Sequence, residues 1–110
     1  MALNSKEIDI MAEIEIPFSE EFKKQLINDE KTMTSRTKRY GESGDTFSIF
    51  GETFVLQHVF KETLEQVAEK YYKEEGFASS KDFIEIWIRL HPMKGFIPDK
   101  KVFVHEFNRS

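Results

Sequence analysis

The sequence predicts a small α+β fold in which a mostly antiparallel sheet, closed into a barrel, is flanked by helices. Segments of strand composition are frequent, and the later helical segments lie together instead of alternating with strands, which disfavours a doubly wound parallel sheet. The chain has 110 residues, 39% of them hydrophobic, with eleven Phe residues. That is enough apolar material for one packed core. We therefore expect a single domain over residues 1–110.

The first half of the chain predicts four strands and one short helix. Apolar residues occupy every second position from 8 to 16, which is the period of a half-buried strand. Ser19 is placed to cap a short helix whose first turn is acidic. The segment 31–36 alternates and is rich in Thr, which favours a strand. Segments 46–50 and 53–60 are typical of two strands joined by a Gly-Glu turn.

The second half predicts two adjacent helices and a last strand. The pattern Thr-Leu-Glu-Gln at 63–66 resembles a capping box and predicts a helix that continues to Gly76. A second helix is expected to begin after Ser79 and to end at Pro92, because its apolar residues recur at helical spacing. The segment 101–107 returns to strand composition.

Composition excludes several classes of protein. The chain has no Cys, so it has no disulfide framework, thiolate nucleophile or Cys-ligated zinc. Its three His residues lack the spacing of metal ligands, and we expect neither a metal nor a cofactor. A net charge of -4 disfavours binding of nucleic acid over the whole surface. No apolar run is long enough for a signal peptide or a membrane span, so we expect a cytoplasmic protein without a membrane partner.

The most distinctive segment for chemistry is residues 31–40. On a strand, Thr34 and Arg36 point to the same side, while Lys31 lies near the strand start. A hydroxyl is a poor nucleophile without a base, and a Lys serves as that base only when burial or nearby positive charge lowers its pKa. The neighbouring residues could bind a phosphate or stack on a base: Arg36, Lys38, Arg39 and Tyr40. The structural alternative is that Thr favours strands and that basic side chains cover solvent.

Four segments resemble the ASCH domain family of PUA-like barrels, which bind RNA or nucleosides. They occur in the same order as in that family: 28–36, 44–47, 75–77 with the helix that follows, and 102–107. The resemblance covers most of the chain from Ile14 onward. It implies a PUA-like β-barrel.

Within that family the chain is similar in size to small bacterial amidohydrolases that deacetylate acetylcytidine through a Lys-Thr-x-Thr-x-Arg motif. The resemblance implies Lys31 as proton acceptor, Thr34 as nucleophile and Glu75 as proton donor. By its neighbours alone, Glu75 lies in a charged run that is typical of a solvated helix end. The sequence departs from those enzymes in a longer loop at 91–99 and in a basic stretch at 37–39.

Three functions stay open at this point. The chain could deacylate N-acetylated cytidine or a related modified nucleoside, it could be a non-catalytic module that binds single-stranded RNA, or its groove could be vestigial in an interaction domain. The acidic net charge favours a small nucleoside over a long RNA backbone. The sequence does not indicate the acyl group or the oligomeric state.

Overall fold

The computed structural model describes residues 12–110. Its strands are β1 (Glu13–Ile14), β2 (Met33–Arg36), β3 (Thr46–Ile49), β4 (Glu52–Thr63) and β5 (Lys101–Arg109). A 3-10 turn at Glu20–Phe22 leads into helix α1 (Lys23–Ile27), and α2 (Leu64–Lys70) and α3 (Ser80–Leu90) separate β4 from β5. Of the strand expected over 8–16, only Glu13–Ile14 is strand among the described residues 12–16, and residues 8–11 lie outside the described range.

The five strands form one sheet in the order β1-β3-β4-β5-β2. The pair β1–β3 is parallel and the other three pairs are antiparallel, which confirms a mostly antiparallel α+β fold. Across residues 12–110 the two edge strands share no ladder, so the sheet is open. The described residues therefore do not show the expected closure into a PUA-like barrel.

Helix α2 is shorter than the sequence predicts. Its cap is as expected, since the Thr63 hydroxyl accepts the N–H of Gln66 at 3.2 Å, but the helix ends at Lys70 and not near Gly76. The reason is tertiary: the carbonyl of Glu74 accepts the N–H groups of Thr32 and Met33 at 2.7 and 3.0 Å. Residues 71–76 therefore form turns that are hydrogen-bonded to the start of β2.

Helix α3 agrees with the sequence at both ends. The Ser79 hydroxyl accepts the N–H of Asp82 at 3.1 Å, and the helix ends at Leu90, just before Pro92. Its apolar face packs Phe83 and Trp87 into the core. In the part of the chain that the structure describes, no helix has both the length and the apolar character needed to cross a membrane.

The core consists of two buried clusters, and β5 contributes residues to both. One cluster joins α2 and α3 to one end of the sheet, through Met33, Leu64, Val67, Ala68, Phe83, Trp87, Val102 and Val104. The other joins the N-terminal segment to the opposite end, through Ile16, Leu26, Phe47, Phe54, Leu56, Val59 and Phe107. Most of the buried polar residues belong to the site described next: Lys31, Thr34, Ser35, Glu75 and His105.

Candidate active site

A cavity of about 320 Å³ opens between β2, the N-terminal segment and α3. Five residues that the sequence predicts at a site line this cavity: Lys31, Thr34, Arg36, Tyr40 and Glu75. Ser35, which was not expected, also lines it. Lys38 and Arg39, which were expected to bind the same ligand, are not part of the lining. Residues 44 positions apart in the sequence thus share one pocket.

The centre of the pocket is a buried pair between Lys31 and Glu75. Lys31 Nζ donates to the backbone carbonyl of Glu75 at 2.7 Å and lies 3.4 Å from its carboxylate Oε1. The two residues are only 4% and 3% exposed. The interpretation of Glu75 as a solvated helix end is therefore wrong, because the turns at 71–76 direct its side chain inward against β2.

Burial controls the protonation of Lys31. Desolvation lowers the pKa of Lys31 from its ordinary value, the nearby Glu75 carboxylate opposes that effect, and the positive charge of Arg36 adds to it. Aromatic rings close around the amine, with Nζ 5.1 Å from the ring centre of Phe22 and 5.9 Å from that of Phe77. A lowered pKa is what a lysine needs to act as a base near neutral pH.

Ser35 completes this network, and the sequence analysis did not identify it. Its hydroxyl donates to Glu75 Oε2 at 2.6 Å, so both carboxylate oxygens have a partner. Alternation along the strand places Ser35 on the same side as Lys31. The shared side of the strand is the signal for Ser35 in the sequence. It becomes informative only once Glu75 is known to be buried opposite both residues.

Thr34 and Arg36 form the second part of the site. Arg36 Nε donates to Thr34 Oγ1 at 2.9 Å, and another guanidinium nitrogen donates to the carbonyl of Pro17 at 2.6 Å. The guanidinium carbon lies 4.9 Å from the ring centre of Phe18 and 5.4 Å from that of Tyr40. Burial lowers the pKa of Arg36, but an arginine keeps its charge in proteins. The Thr34 hydroxyl therefore accepts from a fixed cation and retains its own proton to donate.

No hydrogen bond joins Thr34 to Lys31 within residues 12–110. The two residues line the same cavity, yet Lys31 is engaged by Glu75 and Thr34 by Arg36. In the described residues, the two halves of the site are therefore adjacent but not joined by this hydrogen bond.

The basic residues after β2 lie at the rim of the site. Arg39 makes two hydrogen bonds to the Glu42 carboxylate, at 2.9 and 2.6 Å, and both residues are exposed. Lys38 Nζ lies 4.8 Å from the ring centre of Tyr40. The acidic partner reduces the positive charge that Arg39 presents to a ligand. A binding role for Lys38 and Arg39 stays a prediction.

His105 of β5 is fully buried directly behind Thr34. Its Nδ1 lies 3.2 Å from the carbonyl oxygen of Thr34, and its Nε2 accepts the backbone N–H of Tyr40 at 3.0 Å. Burial lowers the pKa of His105, the bond to Thr34 opposes that effect, and the charge of Arg36 adds to it. The sequence predicts a strand position for His105 and no further role.

The wall formed by α3 is aromatic. Trp87 and His91 stack with ring centres 4.0 Å apart, and both line the cavity. Trp87 was interpreted as a core residue, and it is both buried in the core and exposed to the pocket. Among the described residues, no group of three or more His, Cys, Asp or Glu side chains is arranged to hold a metal ion.

Comparison with solved structures shows which fold carries this pocket. An ASCH domain from Lactobacillus crispatus aligns with a TM-score of 0.65 at 12% identity, covering 98% of this chain and 86% of its own. A mutant of the ASCH protein of Zymomonas mobilis aligns with a TM-score of 0.65 at 15% identity, covering 90% and 69%. The chain has the fold of an ASCH domain. A protein from Pyrococcus furiosus, solved by NMR, aligns with a TM-score of 0.62 at 17% identity, covering 88% and 96%. No protein-family model and no curated protein sequence matches the chain.

In this ASCH-like fold, Gly76 allows the turn that carries Glu75 to approach Lys31. Gly76 has φ +100, which favours glycine, and a Cβ built there would lie 3.2 Å from Lys31 Cβ and 3.5 Å from Lys31 Cγ. The aliphatic stem of Lys31 therefore packs directly on the glycine. A side chain at position 76 would displace one partner of the buried pair.

We expect Gly76→Ala to lower the free energy of unfolding by roughly 2–4 kcal/mol, because backbone strain and a clash with Lys31 add. Gly51→Ala is the matched control, since Gly51 also has positive φ, +80, but open space around its Cβ. It should show the strain alone, about 1–2 kcal/mol. Urea denaturation of both variants measures the difference. Equal losses would show that the contact with Lys31 has no energetic weight.

Proposed function

We propose that this ASCH-fold protein hydrolyses the amide bond of an N-acylated nucleoside, with acetylated cytidine or a close relative as substrate. The observation that carries the proposal is the buried pair of Lys31 and Glu75 in the same cavity as Thr34. A hydroxyl, an amine and a carboxyl group around one cavity are the parts that acyl transfer to a side chain requires.

The buried pair can supply both a base and an acid without any change in its total number of protons. Moving one proton from the Lys31 ammonium to the Glu75 carboxylate converts two charges into two neutral groups. Burial lowers the pKa of Lys31, so it favours the neutral amine that this proton transfer produces. In that form Lys31 is a free amine and Glu75 a carboxylic acid, which are the two states that amide cleavage needs.

The reaction then proceeds in two stages. Thr34 Oγ1 bonds to the acyl carbon while its proton passes to the Lys31 amine, and the carbonyl oxygen becomes an oxyanion. The bond from the acyl carbon to the nucleobase nitrogen breaks as Glu75 gives its proton to the leaving amine. Water then attacks the acyl ester of Thr34 and releases the carboxylic acid, which regenerates the hydroxyl. Ser35 holds the Glu75 carboxyl group in place throughout through its 2.6 Å hydrogen bond.

Arg36 contributes electrostatics to the first stage. Its Nε already donates to Thr34 Oγ1, so a fixed positive charge lies beside the oxygen that loses a proton. A preorganised donor at a site of developing negative charge acts more strongly in a water-poor pocket than in solution. Contacts with the Phe18 and Tyr40 rings help to keep the guanidinium in this position.

The dimensions of the pocket favour a small substrate. A volume of about 320 Å³ is at the lower end of ligand pockets and suits a single nucleoside better than an extended RNA strand. The aromatic wall of Trp87 and His91 offers a surface for a planar base. The net charge of -4 and the pairing of Arg39 with Glu42 weaken attraction for a polymer of phosphates.

The experiment is a screen of purified protein against cytidines that carry different acyl groups on the exocyclic amine, with release of cytidine followed by chromatography. We expect turnover of at least one small acyl derivative. A comparison of acetylated cytidine with acetylated cytosine, its free base, shows whether the sugar is required. No turnover of any derivative, together with salt-sensitive binding of single-stranded RNA, would replace the enzyme with an RNA-binding module.

A further inference from the structure

Four residues of the site form a closed ring of contacts through His105. His105 bonds the carbonyl of Thr34, the Thr34 hydroxyl accepts from Arg36, and Arg36 lies 5.4 Å from the ring centre of Tyr40. The backbone N–H of Tyr40 returns to His105 at 3.0 Å. Neither Tyr40 nor Thr34 is close to His105 in the sequence, and β5 brings all of them together.

The contacts of His105 determine its protonation state. A carbonyl oxygen can only accept, so the nitrogen that faces Thr34, Nδ1, must carry a proton. A backbone N–H can only donate, so the nitrogen that faces Tyr40, Nε2, must have a free lone pair. His105 is thus a neutral imidazole in the Nδ1–H tautomer. The cationic form would point two N–H donors at each other between His105 and Tyr40, with Arg36 and Arg39 adding like charge.

We propose that His105 is a positioning residue that sets the orientation of Arg36 by anchoring Tyr40. Thr34 is held independently by the β2–β5 ladder, in which it is the partner of His105. Tyr40 lies in the loop after β2, and His105 accepts its N–H. The ring of Tyr40 covers one face of the Arg36 guanidinium, so the bond from Tyr40 to Nε2 fixes that wall of the pocket. The contacts of His105 with Tyr40 and Thr34 do not depend on the proposed reaction. Their effect on turnover rests on the proposed function.

Two substitutions separate the two bonds of His105. In His105→Gln the side-chain carbonyl takes the place of Nε2 and can accept from Tyr40, whereas in His105→Asn the amide takes the place of Nδ1 and can donate to Thr34. His105→Leu removes both bonds. Because Tyr40 is the partner that depends on His105, the Gln variant should preserve the orientation of Arg36. The Asn variant should not.

The readout is solvent exchange of the Arg36 Nε proton, followed by NMR, because that proton is donated to Thr34 Oγ1. We expect exchange in His105→Leu and His105→Asn to be roughly tenfold faster than in the wild type, the effect of losing about one hydrogen bond. Exchange in His105→Gln should stay within about threefold of the wild type. Thermal melting of each variant separates a general loss of stability from this local effect.

The wild-type protein gives a second test that requires no variant. Imidazole nitrogen shifts should show the Nδ1–H tautomer at neutral pH, and the Nε2–H tautomer or a cation there would overturn the proposal. Equal exchange in the Asn and Gln variants would also overturn it, because a merely structural histidine does not distinguish its two partners. If acylcytidine is turned over, kcat/KM should fall further in His105→Asn than in His105→Gln. If it is not, the exchange and tautomer results still decide the inference.

Discussion

Thr34→Val is expected to abolish turnover of acetylated cytidine while leaving the fold in place. Val keeps the shape and strand preference of Thr but lacks the hydroxyl that we propose as the nucleophile. We expect kcat/KM to fall by about 10³ or more, as for loss of a group that bonds to substrate. The Arg36 Nε–H loses its acceptor, so a modest decrease in stability of roughly 1 kcal/mol should accompany the loss.

Two controls make this result specific. Thr32→Val is the same substitution two residues earlier on the chain, at a half-buried residue outside the pocket lining, and should retain activity. Thr34→Ser keeps the hydroxyl and should retain part of the activity. Initial rates on the best substrate from the screen provide the measurement. Wild-type rates in Thr34→Val would remove Thr34 as nucleophile and point to attack by water activated at Lys31.

Lys31→Met is expected to abolish activity and to reduce stability as well. The sequence alone predicts that the fold would tolerate this change, because the methionine stem packs like the lysine stem. The structure changes that expectation, since Met would leave the buried Glu75 carboxyl group without its cation. Removing one partner of a buried ion pair typically costs about 3–5 kcal/mol.

The double variant Lys31→Met with Glu75→Gln should recover most of the lost stability and none of the activity. Gln keeps an acceptor for Ser35 but carries no charge that needs a partner. Urea denaturation of the two single variants and the double variant gives the coupling between them. Lys38→Met, at an exposed lysine of the same segment, is the matched control and should have wild-type stability. Simple additivity in the cycle would mean that the pair is not coupled.

The two catalytic substitutions should not add in activity. In the proposed reaction Thr34 attacks only when Lys31 takes its proton, so removing either residue should leave the same residual rate. We expect the Thr34→Val and Lys31→Met double variant to be no slower than the slower single variant. A multiplicative loss would indicate that the two residues act in separate steps.

Local patterns in the sequence determined the elements of the fold. Alternating apolar residues predicted the strands, and hydroxyl caps at Thr63 and Ser79 predicted where α2 and α3 begin, because both signals depend on residues within one or two turns. The resemblance to ASCH domains named the fold that the solved structures share. It also singled out Lys31, Thr34 and Glu75, which line one cavity.

Only the tertiary structure decided how those residues are connected. The end of α2 and the burial of Glu75 follow from hydrogen bonds between the turns at 71–76 and β2, more than 40 positions away in the sequence. Ser35 and His105 entered the site for the same reason, since their partners lie 40 to 71 positions away. A charged run has the same sequence whether its carboxylates are hydrated by water or paired with a buried lysine. The difference is set by desolvation, which depends on the packing around a residue and not on its neighbours in the chain.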